Sequence, residues 1–216
     1  MRNNVEEAFH ISVNIAHQIN EPVLRKVAVD VLMENRKALT TLKGSDWQHH
    51  NYAGGLIVHI CNVTQSAVKL AEFYGDKVNH DLVKFCALMH DIGKVADYSE
   101  QVEFPNSNVM YMNQALLGHS FEGAMYVVEK LQSAYEADTR DVSGEYKDTM
   151  VIQATHCIGA HMDGFGACAK QQMLEAVLIG CADKIDAYME QTIVEDKGDS
   201  VVLGTGETFY KSLKEE

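Results

Sequence analysis

The sequence has little proline, few basic residues and no paired cysteine motif. Two prolines in 216 residues leave few forced breaks in helices. The five cysteines include no C-x-x-C pair, which disfavours a disulfide framework or a structural zinc site and favours reduced thiols in a cytoplasm. No apolar run reaches the roughly 18 residues of a membrane span, and acids and amides interrupt the first 20 residues, unlike a secretory signal. We therefore expect a cytoplasmic protein without a membrane partner.

Basic residues are outnumbered, with 18 Lys and Arg against 31 Asp and Glu, so the formal net charge is −13. A protein that coats nucleic acid needs a basic surface to neutralise phosphates, so this charge argues against a long nucleic-acid track. A small anionic substrate is not excluded, because a bound cation can reverse the local field. The abundant residue type is histidine, with ten in the chain. The composition does not indicate an oligomeric state.

Apolar residues recur three and four positions apart along most of the chain, which predicts an all-α protein with a single helical domain. The expected helices are 4–18, 21–39, 55–74, 80–90, 118–134, 146–157 and 170–190. Turn residues interrupt this pattern at 102–112 and 201–210, and both segments predict small β-hairpins. We expect 1–48 to form a helical extension packed on a core at 49–191, followed by a tail or short hairpin at 192–216.

Several histidines and aspartates fall on the apolar faces of different predicted helices. A single such histidine is usually a hydrogen-bonded core residue, but a buried carboxylate is costly unless it is paired or bound to a metal. Imidazole and carboxylate together suit Mn, Fe, Co, Ni or Zn, and the oxygen donors tolerate Mg. Periodicity alone leaves a metal site and a hydrogen-bonded core as equal alternatives. The residues concerned are His59, His90, Asp91, His119, His156 and Asp183.

Four motifs in order carry a family resemblance. Residues 49–59 (HHNYAGGLIVH) match the pattern H-H-x-Y-x-G-G-L-x-x-H, and residues 88–94 (LMHDIGK) match L-x-H-D-[IL]-G-K. Residues 117–119 (LGH) and 182–187 (ADKIDA) follow in register. From about 49 to 190 the chain thus resembles the HD-domain metal-dependent phosphohydrolases, an all-α family. Within that superfamily it is similar to the HD modules of a bacterial 3′→5′ exoribonuclease and of conjugative relaxases.

The resemblance implies a centre with two divalent ions, with a single ion as the alternative; Mn, Fe, Co or Ni are expected, and Mg is possible. One ion would be held by four residues, His59, His90, Asp91 and Asp183. His119 and His156 would bind the second ion, with Asp91 bridging the two. Relatives often have S-H-H-G where residues 155–161 read THCIGAH, so His156 is preferred by register and His161 is the alternative ligand, a substrate contact or a solvated loop residue.

The same resemblance implies the catalytic and substrate-binding residues. Asp91 would hold the metals at the correct separation, and Lys94 would offset the charge that develops on the phosphate. The alternative for Lys94 is an exposed lysine on a polar turn. The expected substrate contacts are His49, His50, Lys94 and His161. His49 and His50 would contact the phosphate or donate a proton to the leaving oxygen, and one of the two is equally a helix-capping or surface residue. Asp186 is either a partner that orients a ligating imidazole or a solvated acid.

The implied function is enzymatic: hydrolysis of a phosphoester in a small nucleotide or short oligonucleotide by metal-activated water. The main alternative is a 3′→5′ exonuclease acting on RNA or single-stranded DNA. The net charge argues against it, as does the lack of an oligonucleotide-binding barrel before the HD motifs. Hydrolysis of a stringent-response alarmone is a third option. A hypothesis from another class is an inactive HD module that only binds a nucleotide. Such a module would be expected to lack the His-Asp pair or the final Asp, and all are present here.

Overall fold

The computed structural model describes residues 4–45, 49–97, 101–103, 109–111, 116–162, 164, 166–192, 195–196, 200–202 and 208–210. The helices are α1 Val5–His17, α2 Pro22–Glu34, α3 Arg36–Leu39, α4 Gly55–Tyr74, α5 His80–Met89, α6 Lys94–Asp97, α7 His119–Glu136, α8 Gly144–Ala160 and α9 Leu174–Thr192, with a 3₁₀ turn at Gly75–Lys77. The predicted all-α class is confirmed. Among the described residues no helix is long and apolar enough to cross a membrane.

Side-chain caps set where several helices begin. The Asn4 side chain accepts a hydrogen bond from the Glu7 amide at 2.7 Å, which starts α1. Asn79 caps α5 by accepting from the Leu82 amide at 3.1 Å. Ser143 caps α8 in the same way. Helices α5 and α8 each end immediately before a histidine, which is His90 for α5 and His161 for α8.

Helices α4 and α5 lie at the centre of the molecule. Helix α4 packs against α1, α5 and α9, while α5 also packs against α2, α8 and α9. Residues 56–61 of α4 and 85–89 of α5 are all buried. Polar groups on these buried segments do not reach solvent, so they need hydrogen-bond partners inside the protein.

Several predicted helix boundaries differ from the structure, and the predicted helix 170–190 begins only at Leu174. The predicted helix 21–39 is divided at Asn35, whose side-chain amide donates to the Val31 carbonyl at 2.9 Å and ends α2. The predicted helix 146–157 extends to Ala160. This additional turn determines which histidine of the segment faces inward.

Both predicted hairpins contain antiparallel strands. Strands β1 (Gln101–Glu103) and β2 (Val109–Tyr111) pair with Val102 opposite Met110. Strand β4 (Ser200–Val202) lies between β3 (Glu195–Asp196) and β5 (Thr208–Tyr210) in a three-stranded sheet. The expected turns at 104–108 and 203–207 lie outside the described residues. Helices α1 and α2 pack on α4, α5 and α7, while the division at 48 and 191 remains a prediction.

Candidate metal centre

Four side chains from α4, the end of α5 and α9 converge in the core. His59 Nε2 lies 3.3 Å from Asp91 Oδ2 and 3.2 Å from Asp183 Oδ1. The same nitrogen lies 3.3 Å from His90 Nε2. His59, His90 and Asp91 are almost completely buried, and the Asp183 side chain is 15% exposed. The structure therefore brings together the first four predicted ligands.

Asp91 also belongs to a second group of side chains, with His119 and His161. Its carboxylate oxygen Oδ1 lies 3.3 Å from His119 Nε2 and 3.9 Å from His161 Nε2. His119 is the first residue of α7, and His161 follows the last residue of α8. The two carboxylate oxygens of Asp91 thus face two different pairs of histidines.

Hydrogen bonds at Nδ1 orient three of these imidazoles. His90 Nδ1 donates to the Ala87 carbonyl at 2.8 Å, and His161 Nδ1 donates to the Ile158 carbonyl at 2.7 Å. His59 Nδ1 pairs with Asp186 Oδ2 at 2.7 Å. A carbonyl can only accept, so the proton of a neutral His90 or His161 is on Nδ1 and the Nε2 lone pair faces the cluster. This is the usual arrangement behind metal-bound histidines.

The donor atoms match a site for divalent cations. Donors that share one ion through bonds of about 2.1 Å lie roughly 3.0–3.4 Å apart, close to the separations around His59 Nε2. Three-residue groups of His59, His90 and Asp91 and of Asp91, His119 and His161 have one ligand atom each within 4.8 Å of one another. His161 Nε2 has no hydrogen-bond partner among the described residues, although it is buried. The cluster therefore has the donors and the geometry to bind a divalent metal.

The protonation states of the histidines and of Asp91 favour binding of a divalent metal. Burial lowers the pKa of His90 to about 4 and that of His119 to about 3, so both imidazoles are neutral at pH 7. Burial raises the pKa of Asp91, but Lys94 and His90 outweigh it and hold that pKa well below its usual range. Burial also disfavours a charged His59, yet hydrogen bonds to carboxylates raise its pKa well above the ordinary value. The carboxylates thus hold a proton on His59, and metal binding would release it.

Asp186 supports His59 from behind. One of its oxygens, Oδ2, lies 2.7 Å from both His59 Nδ1 and His50 Nε2, and Oδ1 accepts from the Asn62 side chain at 2.9 Å. His50 Nδ1 pairs with the Tyr52 hydroxyl at 3.0 Å. Asp186 therefore lies where it can orient the His59 imidazole, the first of the two roles considered from the sequence, rather than as a solvated acid. Asn62 was missed, although it lies three residues after His59 and thus on the same helix face.

His50 does not occupy the position of a substrate contact. Both of its ring nitrogens are engaged, by Asp186 and Tyr52, and the residue is 2% exposed. His50 thus lies in a supporting position behind His59, and substrate binding by His50 remains a prediction. His49, its neighbour, lies on the other side, with its ring centroid 4.8 Å from that of His59.

Lys94 is bonded to the His–Asp cluster rather than exposed on a turn. Its Nζ atom donates to Asp91 Oδ2 at 2.6 Å and to the Gly44 carbonyl at 2.7 Å. The side chain is 12% exposed. Lys94 therefore compensates the charge of Asp91 and joins it to the segment that leads to His49, while a contact with phosphate remains a prediction.

His156, the preferred ligand of the sequence analysis, lies outside the two His–Asp groups that share Asp91. Its Nε2 atom accepts a hydrogen bond from the Gln172 amide at 3.0 Å. Ile152 lies one helical turn before His156 and is 67% exposed, so this face of α8 is directed toward solvent. The inward stripe of α8 passes through Met150, Ala154 and Cys157, and it continues four residues later to His161. His161 is 1% exposed and occupies the place assigned to His156.

A glycine contact brings Asp91 and His119 together. A Cβ atom on Gly93 would lie 2.0 Å from the His119 carbonyl oxygen and 2.6 Å from the Gly123 nitrogen. Only a residue without a side chain permits this approach of the turn after α5 to the start of α7. The Gly in the 88–94 motif is thus a packing requirement of the second histidine group.

The HD domain family model matches residues 56–188, more than half of the chain. The dihydroneopterin 2′,3′-cyclic phosphate phosphodiesterase of Methanocaldococcus jannaschii is 26% identical over 199 residues, which cover 84% of this chain and 70% of that protein. The 3′-5′ exoribonuclease YhaM of Oceanobacillus iheyensis is 24% identical over 174 residues, or 80% of this chain and 50% of the relative. The 3′-5′ exoribonuclease YhaM of Shouchella clausii is 23% identical over 203 residues, which cover 90% of this chain and 59% of that protein.

The chain spans about half to three fifths of the length of these two exoribonucleases. No solved structure matches the chain with comparable significance. The relatives are named as a phosphodiesterase and as exoribonucleases, and both names describe hydrolases of phosphoric esters, the class that the motifs predict. With the family model and the convergent His and Asp residues, the chain belongs to the HD domain family and is a phosphohydrolase.

Proposed function

We propose that this phosphohydrolase cleaves a phosphodiester in a small nucleotide or nucleotide-like molecule, and that a 2′,3′-cyclic phosphate is the first substrate class to test. The observation that carries the proposal is the position of Asp91 between two histidine pairs, each on its own carboxylate oxygen. Support for the cyclic phosphate comes from the phosphodiesterase relative, which aligns with 84% of this chain.

The proposed centre holds two divalent ions. His59, His90, Asp91 and Asp183 would hold the first. His119, His161 and the other oxygen of Asp91 would hold the second. Mn, Fe, Co and Ni suit this mixture of imidazole and carboxylate, and Mg is a weaker candidate because it prefers oxygen donors.

Bound cations would supply a water of lowered pKa and neutralise charge on the phosphoryl oxygens. The chain's residues prepare that environment: Asp91 sets the spacing, Asp186 orients His59, and Lys94 compensates the charge on Asp91. In the reaction, a water oxygen forms a bond to phosphorus, the ester P–O bond breaks, and the leaving oxygen takes a proton. A cyclic diester would thus open to a monoester that stays attached to the sugar.

A 3′→5′ exonuclease is the second candidate, because several relatives carry that name and align with most of this chain. The net charge of −13 favours the small substrate over an extended polyanion. An inactive nucleotide-binding module is the weakest hypothesis, since the five residues of the two His–Asp groups and Asp183 are all in place.

The proposal is tested by stripping the protein with a chelator and reloading it with Mn, Fe, Co, Ni or Mg. Metal content is measured by mass spectrometry, and the loaded protein is assayed with 2′,3′- and 3′,5′-cyclic nucleotides, mononucleotides, and short and long RNA and DNA. We expect a metal-dependent conversion of a cyclic diester to a monoester. Preference for long RNA would overturn the proposed substrate class, and no hydrolysis by a fully loaded protein would support the inactive module.

A further inference from the structure

The two adjacent histidines at the start of the first motif are separated by an unusual backbone turn. Within the described residues, His50 is the only non-glycine residue with a left-handed φ, at 51°. Its carbonyl oxygen accepts from the Gly44 amide at 3.0 Å. A Cβ atom on Gly55 would lie 2.0 Å from that oxygen, and one on Gly44 would lie 2.7 Å from the His50 Cβ atom. Two glycines therefore enclose a strained residue, and such strain occurs where a local geometry is required.

The turn sends the neighbouring imidazoles in different directions. The rings of His49 and His50 are nearly perpendicular, at 89°. His50 is held by Asp186 and Tyr52, behind His59. His49 lies against His59, and their ring centroids are 4.8 Å apart. Its imidazole interacts electrostatically with Asp91, Asp183 and Lys94. The strained backbone thus places one histidine behind the cluster and the other beside it.

His49 differs from the other histidines of the cluster in its hydrogen bonding. Both ring nitrogens are shielded from solvent, and neither has a hydrogen-bond partner among the described residues. His59, His90 and His161 each have Nδ1 fixed by an acceptor. An imidazole with no partner on either nitrogen is costly inside a protein, so its donor and acceptor are expected to serve a bound molecule.

His49 is also distinct from the proposed ligands. It belongs to neither of the two His–Asp groups that share Asp91. A neutral imidazole has one N–H donor and one acceptor nitrogen, and neither nitrogen of His49 is bonded to a described residue. A neutral N–H donor beside the metal cluster is suited to a phosphoryl oxygen that the cations also hold.

We propose that His49 is the substrate-contacting histidine of this site, donating a ring N–H to an oxygen of the phosphate group, and that His50 is a positioning residue. The inference deepens the proposed function and rests on it. His50, Gly44 and Gly55 would act by holding His49 against the cluster, and they would make no contact with substrate.

The test uses inorganic phosphate as a probe of the full chain loaded with Mn. His49→Ala and His49→Gln are compared with wild type and with His17→Ala, an exposed histidine on α1. Metal content, thermal midpoint and the phosphate dissociation constant from calorimetry are measured. We expect His49→Ala to keep its metal within twofold and to bind phosphate about tenfold more weakly or worse. His49→Gln, which retains an N–H donor, should recover part of the loss, and His17→Ala should match wild type.

Three results would overturn the proposal. One is unchanged phosphate binding by His49→Ala and His49→Gln, and another is no phosphate binding by wild type. The third is loss of metal from both variants, which would make His49 a ligand. If His49→Ala does not fold, the comparison of His49→Gln with a His49→Leu variant decides. Failure of the proposed function is seen separately, because wild type would then bind phosphate but hydrolyse none of the phosphoesters.

Discussion

Asp91 divides its carboxylate between two histidine groups: Oδ2 lies 3.3 Å from His59 Nε2, and Oδ1 lies 3.3 Å from His119 Nε2. Because Lys94 donates to Oδ2 as well, the negative charge of Asp91 is shared by donors on three sides. A single carboxylate at this position couples α4, the end of α5 and α7. Any change that removes one oxygen should therefore affect both halves of the centre.

Replacing Asp91 with Asn tests this sharing. The amide keeps the volume but offers one acceptor, and its NH₂ group would face a histidine pair or Lys94. We expect loss of at least one metal equivalent and a decrease in kcat/KM of about 10³-fold or more, since metal-centred charge stabilisation contributes several kcal/mol. The measurements are metal analysis and hydrolysis rates. Asp76→Asn, an exposed carboxylate, is the matched control. Retention of full metal and activity by Asp91→Asn would remove Asp91 from the centre.

A pair of variants on α8 decides the fifth histidine. His161→Ala should release the second metal and lower kcat/KM by about 10²-fold or more, because it removes an Nε2 donor that faces Asp91. His156→Ala should retain both metal and activity within a few fold, since His156 bonds the Gln172 amide instead. Metal content and kinetics of the two proteins are compared under the same loading conditions. The opposite ranking would restore the assignment made from the motif register.

Apolar periodicity in the sequence predicted the helical fold, and the resemblance of the four motifs to the HD family implied five of the six residues now proposed as ligands. The motif register preferred His156 over His161, whereas the structure brings His161 near Asp91, and this difference has a specific reason. Residues 154–161 contain several apolar or small residues, so two different stripes through α8 look equally apolar until packing shows that Ile152 is exposed. The separation of His49 from His50 was also not predictable, because a left-handed φ at a histidine depends on contacts with Gly44 and Gly55 from outside the residue pair.

We predict that Asp186 strengthens metal binding by orienting the ligand His59, without binding the metal itself. Asp186→Asn preserves shape but removes the charge that faces His59 Nδ1 and His50 Nε2. We expect metal affinity to fall by about 10–100-fold, the usual loss when the partner of a ligating histidine is changed. Competition with a chelator measures the affinity. At saturating metal, kcat should recover to within about tenfold of wild type. No recovery at full metal occupancy would argue that Asp186 acts in the reaction itself.

The same carboxylate predicts a pH dependence of stability. Although burial raises the pKa of Asp186, hydrogen bonds from His50 and His59 hold it below its usual range. A carboxyl group whose pKa is lower in the folded state stabilises the fold above its unfolded pKa of about 3.9, and this contribution is lost as the pH falls toward the folded pKa. The difference in urea midpoint between metal-free wild type and Asp186→Asn should therefore be constant above about pH 5 and shrink below about pH 4. A difference that does not change between pH 6 and pH 3 would contradict the lowered pKa.

Gly93→Ala should disturb both stability and the second histidine group. The added methyl group would meet the His119 carbonyl and the Gly123 nitrogen, neither of which is a flexible side-chain end. Relief requires α7 to move away from the turn that carries Asp91. We expect a loss of about 1–3 kcal/mol in unfolding free energy, typical of overpacking, and weaker binding of the second metal than of the first. Gly144→Ala is the control, because a Cβ atom there has no neighbour within 4 Å and α8 begins at that residue. Thermal melts and stepwise metal titration measure the two effects. If Gly93→Ala were as stable as Gly144→Ala and bound both metals as wild type does, the close approach of Gly93 to α7 would not be what brings His119 to Asp91.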